Sequence, residues 1–174
     1  MRMPPPAEPP GESRVVQDAR GQQYVVREYH PSDRVALELF YLDFEPKRAA
    51  QGLPPKDAER IARWLQSVLG QGTHLLTFHE RELVGHALLV PTGEEGVSEY
   101  AIFLRGDHRG RGLGTAMNRA AVEIAREQGL KGLWLSVEPR NRAALRSYEK
   151  AGFALLPGTI FSTEAEMRIS LQPE

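Results

Sequence analysis

The sequence predicts one mixed α/β domain, a central sheet of about seven strands with helices on both faces. Three observations carry this expectation. Strand-like and helix-like runs alternate as strand, two helices, four strands with a helix before the last, then a helix and two strands. Leu133–Val137 is nearly all apolar, as in a strand whose sheet is covered on both faces. The strand Ser98–Leu104 runs into a glycine-rich turn that opens a helix, Arg109-Gly110-Arg111-Gly112-Leu113-Gly114.

The elements follow in chain order. Residues 1–19 are rich in proline and charge and bury too little apolar surface to offset the entropy of ordering, so a disordered tail is expected, with the domain over 20–174. Gln23–Tyr29, with its valines and tyrosines, reads as the first strand. His30-Pro31-Ser32-Asp33 is a helix start, with Ser32 or Asp33 as the cap. The following helix carries Val35, Ala36, Leu39 and Phe40 on one face. Phe44–Pro55 breaks both patterns and is a loop. Asp57 caps a second helix, whose stripe is Ala58, Ile61, Ala62, Leu65, Val68 and Leu69.

Thr73–Phe78 and Leu83–Val90 are strands joined by the hairpin His79–Glu82. His86, alone in an apolar strand, reads as a hydrogen-bonded core histidine. The helix Leu113–Gln128 ends at Gly129, a fitting C-cap. Pro139 and Asn141 open the last helix, which puts Ala144, Leu145 and Tyr148 on one face and stops at Gly152. Phe153 starts a strand, and Thr163–Leu171 closes the sheet with Met167 and Ile169 inward.

A strand that ends in glycines and opens a helix is suited to an anion. The first helical amides lack internal partners, and the helix dipole favours negative charge there. The spacing excludes two phosphate loops. A Walker loop needs Lys-Ser or Lys-Thr, but Leu113-Gly114-Thr115 follows Gly112; a dinucleotide fingerprint needs G-x-G-x-x-G, but Gly110, Gly112 and Gly114 give G-x-G-x-G. A net charge of -1 gives no global field for nucleic acid or anionic membrane. The absence of cysteine excludes disulfides, zinc–thiolate sites and a cysteine nucleophile, and His74 and His79 have no third metal-ligating neighbour in pattern. No apolar run reaches the ~20 residues that span a bilayer and the first residues are no secretory signal, so a cytoplasmic protein is the default expectation.

The central segment resembles the GNAT superfamily of acyl-CoA-dependent N-acyltransferases. The family pattern Arg/Gln-x-x-Gly-x-Gly/Ala falls on Arg109, Gly112 and Gly114, and a second motif on Asn141, Ala144, Tyr148 and Gly152-Phe153. Glu99-Tyr100-Ala101, Leu104-Arg105 and Gly110–Gly114 are also similar to bacterial protein-lysine acetyltransferase domains; an antibiotic or polyamine acceptor fits about as well. Many relatives have proline where this chain has Gly106.

The resemblance implies a mostly antiparallel sheet with a splayed cofactor cleft and acetyl transfer from acetyl-CoA to a primary amine, of a small molecule or a protein, by direct transfer in a ternary complex without a metal. Backbone groups of Phe103, Leu104 and Arg105 would meet the pantetheine arm, the Leu104 amide polarising the thioester carbonyl. The amides of Gly110, Arg111, Gly112, Leu113, Gly114 and Thr115 would hold the pyrophosphate, Arg109 and Arg111 would add charge, and Asn141 would bind the cofactor arm. Tyr148 would be the general acid and Glu99 the general base, with His108 the alternative base. Glu45, Lys47 and Arg48 would face the acceptor. A non-catalytic acetyl-CoA sensor or interaction module on the same fold is the alternative reading; a homodimer is compatible with either.

Overall fold

The computed structural model describes residues 12–45 and 54–173. The sheet order is β1-β2-β3-β4-β5-β6-β8-β7. The strands are β1 (Arg14–Gln17), β2 (Gln23–Glu28), β3 (Thr73–His79), β4 (Glu82–Pro91), β5 (Val97–Leu104), β6 (Gly132–Val137), β7 (Ala154–Leu155) and β8 (Ala165–Ser170). All neighbours are antiparallel except the pair β5–β6. Helices α1 (Arg34–Asp43) and α2 (Ala58–Val68) pack on one face; α3 (Leu113–Glu127) and α4 (Arg142–Lys150) pack on the other.

Composition places Arg14–Gln17 in a disordered tail, yet these residues pair with β2 as the edge strand. The reason is long-range. Arg14 reaches Glu123 and Glu127 on α3, and Val16 packs against the α3/α4 core. Residues 1–11 lie outside the described residues.

The expected face of α1 is also corrected. Val35 and Leu39 are 58% and 53% exposed, while Leu37, Phe40, Tyr41 and the following Phe44 are buried. The helix is rotated so that i, i+3, i+4 and i+7 face the sheet. Asp33 stands at the N-cap of α1, but its side chain makes no cap hydrogen bond to that helix. Its carboxylate accepts from the His30 amide and two guanidinium N–H groups of Arg27, each at 2.8 Å.

Under α1 and α2 lies a closed polar chain. His74 Nε2 can only donate, since it faces the carbonyls of Val68 (2.9 Å) and Gln71 (2.8 Å). His74 Nδ1 therefore accepts from His86 Nε2 at 3.0 Å, and His86 Nδ1 accepts from the Tyr41 hydroxyl at 2.5 Å. One polarity satisfies every member with both imidazoles neutral. His86 is thus the bonded core histidine expected from its setting. Burial holds both rings below their ordinary value, and the unfavourable meeting of two protonated imidazoles lowers His86 further.

A stability profile follows. The unfolded chain takes up protons on both groups below about pH 6.5, and the folded chain resists them. Stability is full above that pH and falls as pH drops toward the depressed folded values, by up to about 1.4 kcal/mol per pH unit for each imidazole. Urea midpoints should fall between pH 7.5 and 5.5, and less steeply in His86→Gln; a flat wild-type profile would contradict the neutral pair.

Candidate active site

The site begins where two strands part. β5 and β6 pair only at Val97–Gly132, Ser98–Leu133 and Glu99–Trp134. Beyond these β6 pairs with β8 alone, and β5 continues to Leu104 against β4 alone. The Arg105 amide donates to Val84 O at 2.9 Å, toward β4. Strand alternation then turns the backbone groups of Tyr100, Ile102 and Leu104 toward the opening. The backbones of Phe103 and Arg105, expected to meet the cofactor arm with Leu104, turn to β4 instead. Phe103 is buried among Tyr41, Phe44 and Trp64, and the Arg105 side chain pairs with Glu82 and Asp107.

At the end of β5 the chain makes a short 3-10 turn, Gly106–His108, and enters α3 through the glycines. Gly110 and Gly112 have φ of 70° and 83°, the left-handed region that suits glycine. Gly112 is the N-cap of α3 and supplies no side chain to it. Its carbonyl accepts the Ala116 amide at 3.2 Å, so the amides of Leu113, Gly114 and Thr115 precede the first intrahelical bond. Beside them lies an open groove of about 440 Å³ lined by Ala19, Gly112, Thr115, Ala116, Arg119 and Lys150 among others.

The arginines of the motif point elsewhere than the phosphate reading expects. Arg109 Nε donates to Leu104 O at 2.9 Å and Nη2 to Glu45 O at 2.7 Å, and the guanidinium lies 5.1 Å from the centroid of the Phe44 ring. It straps the end of α1 to the end of β5. Arg111 lends its carbonyl to the Ala19 amide at 2.6 Å, and its charge acts on Asp18, Tyr24 and His108. Its neighbour His108, the alternative base, is buried and bonded through Nδ1 to the Tyr24 hydroxyl at 3.0 Å.

On the α3/α4 face Tyr148 is 8% exposed, between Tyr100 and Phe153 with ring centroids 6.3 and 5.8 Å away. Burial pushes its phenol up to about 12. Its hydroxyl has no hydrogen-bond partner among the described residues, unlike that of Tyr100, which donates to Asn118 Oδ1 at 2.7 Å. Asn118 Nδ2 donates to Ser147 Oγ at 2.9 Å, and Ser147 meets Thr115 at 3.1 Å. This chain locks α3 to α4 beside the turn. Asn118 and Ser147 escaped sequence reasoning, although a polar residue on the buried stripe of α3 is the signal that could have found Asn118. Asn141 is the N-cap of α4, its Oδ1 accepting the Ala144 amide at 3.1 Å, which leaves its Nδ2 to donate.

Glu99 is exposed on the opposite face, one residue before the strands part. Burial of part of its side chain, then the Glu164 carboxylate, raise its carboxyl above the usual range. Of the expected acceptor contacts, Glu45 lies under Arg109, and Lys47 and Arg48 fall outside the described residues. Among the described residues no cluster of His, Cys, Asp and Glu could hold a metal.

Comparison with known proteins bears on the family and the fold. The model of the Acetyltransferase (GNAT) family matches residues 36–153. An L-methionine sulfoximine/L-methionine sulfone acetyltransferase of Pseudomonas paraeruginosa is 29% identical over 107 residues, 58% of this chain and 62% of that protein. The chain thus spans about six-tenths of the length of such curated relatives. The solved GNAT domain of S. lividans PAT superposes with a TM-score of 0.74 at 18% identity, covering 94% of this chain and 99% of that one. A phosphinothricin acetyltransferase from Sinorhizobium meliloti in complex with acetyl-CoA gives 0.67 at 16% identity, over 84% and 88%.

Proposed function

We propose, from the premise that the chain belongs to the GNAT acetyltransferase family, that it moves an acetyl group from acetyl-CoA to a primary amine by direct transfer in a ternary complex. The observation that carries this reading is the parting of β5 from β6 directly beside the uncapped start of α3. The residues there fit the cosubstrate. The amides of Leu113, Gly114 and Thr115 offer donors to a diphosphate, and the glycines let it approach. The backbone groups of Ile102 and Leu104 offer a strand edge to an amide-bearing pantetheine arm.

Bound acetyl-CoA supplies an activated carbonyl and a thiol leaving group. The amide of Leu104 polarises the carbonyl in the opening. Glu99 takes the amine proton from the α1/α2 side as the N–C bond forms. Tyr148 donates from the α3/α4 side to the sulfur as the C–S bond breaks. The two groups thus act from opposite faces of the sheet, through the one gap that joins them. A phenol pushed up to about 12 is still protonated at the pH where a primary amine becomes free, so Tyr148 meets the reaction as a donor. Asn141 Nδ2 is a donor for the arm. The acceptor is a small amine, like the substrates of the named relatives, or a protein amine.

Thiol release measured across small amines and lysine peptides tests the reading; acetyl-CoA binding without transfer to any amine would point to a sensor instead. Glu99→Gln should lower kcat roughly tenfold to a hundredfold at pH 7.5. The base works only when ionised, so wild-type rate should fall as pH drops through the raised value of Glu99. That acidic limb should vanish in the Gln variant; an unchanged limb would remove Glu99 from the role.

A further inference from the structure

The glycine turn is held from outside by the β1–β2 hairpin, which precedes the residues that the family model matches. Two links cross from it. The Ala19 amide donates to Arg111 O at 2.6 Å, and Tyr24 meets His108 Nδ1 at 3.0 Å. Asp18 anchors both. Its Oδ1 accepts the amides of Arg20 (2.9 Å) and Gln22 (3.0 Å), and its Oδ2 accepts the Tyr24 hydroxyl at 3.3 Å. With that proton on Asp18, His108 Nδ1–H is the donor to Tyr24. Asp18, Tyr24 and His108 are 6%, 1% and 6% exposed. His79 closes the cluster, its ring 5.4 Å from those of both Tyr24 and His108.

We propose that Asp18 and Tyr24 are positioning residues for the cofactor turn, fixing through His108 and Arg111 the direction of the amides that open α3. The inference rests on the reading of that turn as the diphosphate site. A loop with two glycines at positive φ and no side-chain cap has many conformations of its own. Binding would then lose affinity to ordering it. The hydrogen bonds from the hairpin, that of Tyr24 buried, together with the close seat of Gly112 against Ala19, hold the turn in one conformation before ligand arrives. Asp18 borders the groove beside those amides and Tyr24 does not; neither is placed at the thioester, so their effect falls on affinity for the cosubstrate and leaves the chemical step alone.

Calorimetry with CoA, steady-state kinetics and thermal unfolding on the full chain test this. Tyr24→Phe removes one hydroxyl and keeps the ring. It should raise the Kd for CoA and the KM for acetyl-CoA about tenfold, with kcat and the acceptor KM nearly unchanged and the unfolding midpoint lowered by a few degrees, because Asp18 and His108 lose a buried partner. Asp18→Ala should do the same, and Asp18→Asn, which still accepts the two turn amides, should recover most of the loss. Wild-type affinity in both Tyr24→Phe and Asp18→Ala would overturn the inference and leave the acetyltransferase reading intact. Parallel rises in both KM values, acceptor and cosubstrate alike, would show a merely structural role and overturn it as well. No CoA binding by the wild-type chain would instead remove the proposed function, and this inference with it.

Discussion

Tyr148→Phe is expected to lower kcat about a hundredfold while leaving the KM for acetyl-CoA and the fold in place. The expectation comes from what the hydroxyl does and does not touch. The ring packs edge-on against Tyr100 and Phe153, and phenylalanine preserves those contacts. The hydroxyl bonds no described residue, so its removal orphans no partner and should change stability by less than about 1 kcal/mol. What is lost, on the proposed mechanism, is a proton donor at the leaving sulfur. The effect belongs at the low end of general-acid contributions, because a thiolate of pKa about 8.5 can depart unaided far better than an alkoxide. With the phenol up at about 12, wild-type rate should show no alkaline fall from Tyr148 in the pH range usually assayed. A variant that keeps full kcat across an amine panel would exclude the role.

The contrast between Tyr148 and Arg109 shows how far the sequence carried. Position in the helix, face and burial of Tyr148 follow from the 3.6 period and from Asn141 as cap, and both were legible. The glycines of the turn and the long strand β5 were legible for the same reason, because local backbone chemistry specifies them. What was not legible depends on pairs distant in sequence. The guanidinium of Arg109 goes to carbonyls of Leu104 and Glu45, the second 64 positions away, and nothing in a motif records that choice. The strand β1 is specified by Arg14 meeting α3 more than a hundred residues on, so tail-like composition misled. The face of α1 turned on which of several apolar residues met the sheet, and periodicity with Val35, Leu37, Leu39, Phe40 and Tyr41 all apolar is compatible with more than one stripe. Face alternation along β5 was readable in principle. It puts Glu99 with Ala101 and Phe103, and also decides that Leu104, not Phe103 or Arg105, turns its backbone to the gap.

Alanine at each glycine of the turn should give a graded series, with Gly112→Ala raising the KM for acetyl-CoA a hundredfold or more. At Gly112 two costs coincide. An L-residue held at a φ of 83° loses on the order of 1–2 kcal/mol. A methyl there would also sit 3.0 Å from Ala19 Cβ and 3.2 Å from the Ala19 amide nitrogen, which is itself bonded to Arg111 O. The backbone must shift to relieve either, and because Gly112 is the N-cap, any shift re-aims the amides of Leu113, Gly114 and Thr115. Gly110→Ala should be milder, since its φ of 70° carries the strain but the added methyl meets nothing within 4 Å. Gly114→Ala should be nearly silent: the φ there is ordinary, and a methyl would lie 3.5 Å from Leu104 Cδ1 and 3.6 Å from Ser147 Oγ, normal contact distances. Affinity for CoA by calorimetry should therefore fall in the order Gly114, Gly110, Gly112, with the unfolding midpoint falling in the same order but by only a few degrees. The reverse order, with Gly114→Ala the most damaging, would mean that a ligand presses on the helix at Gly114 and that backbone conformation at Gly112 is not what the turn exists to provide.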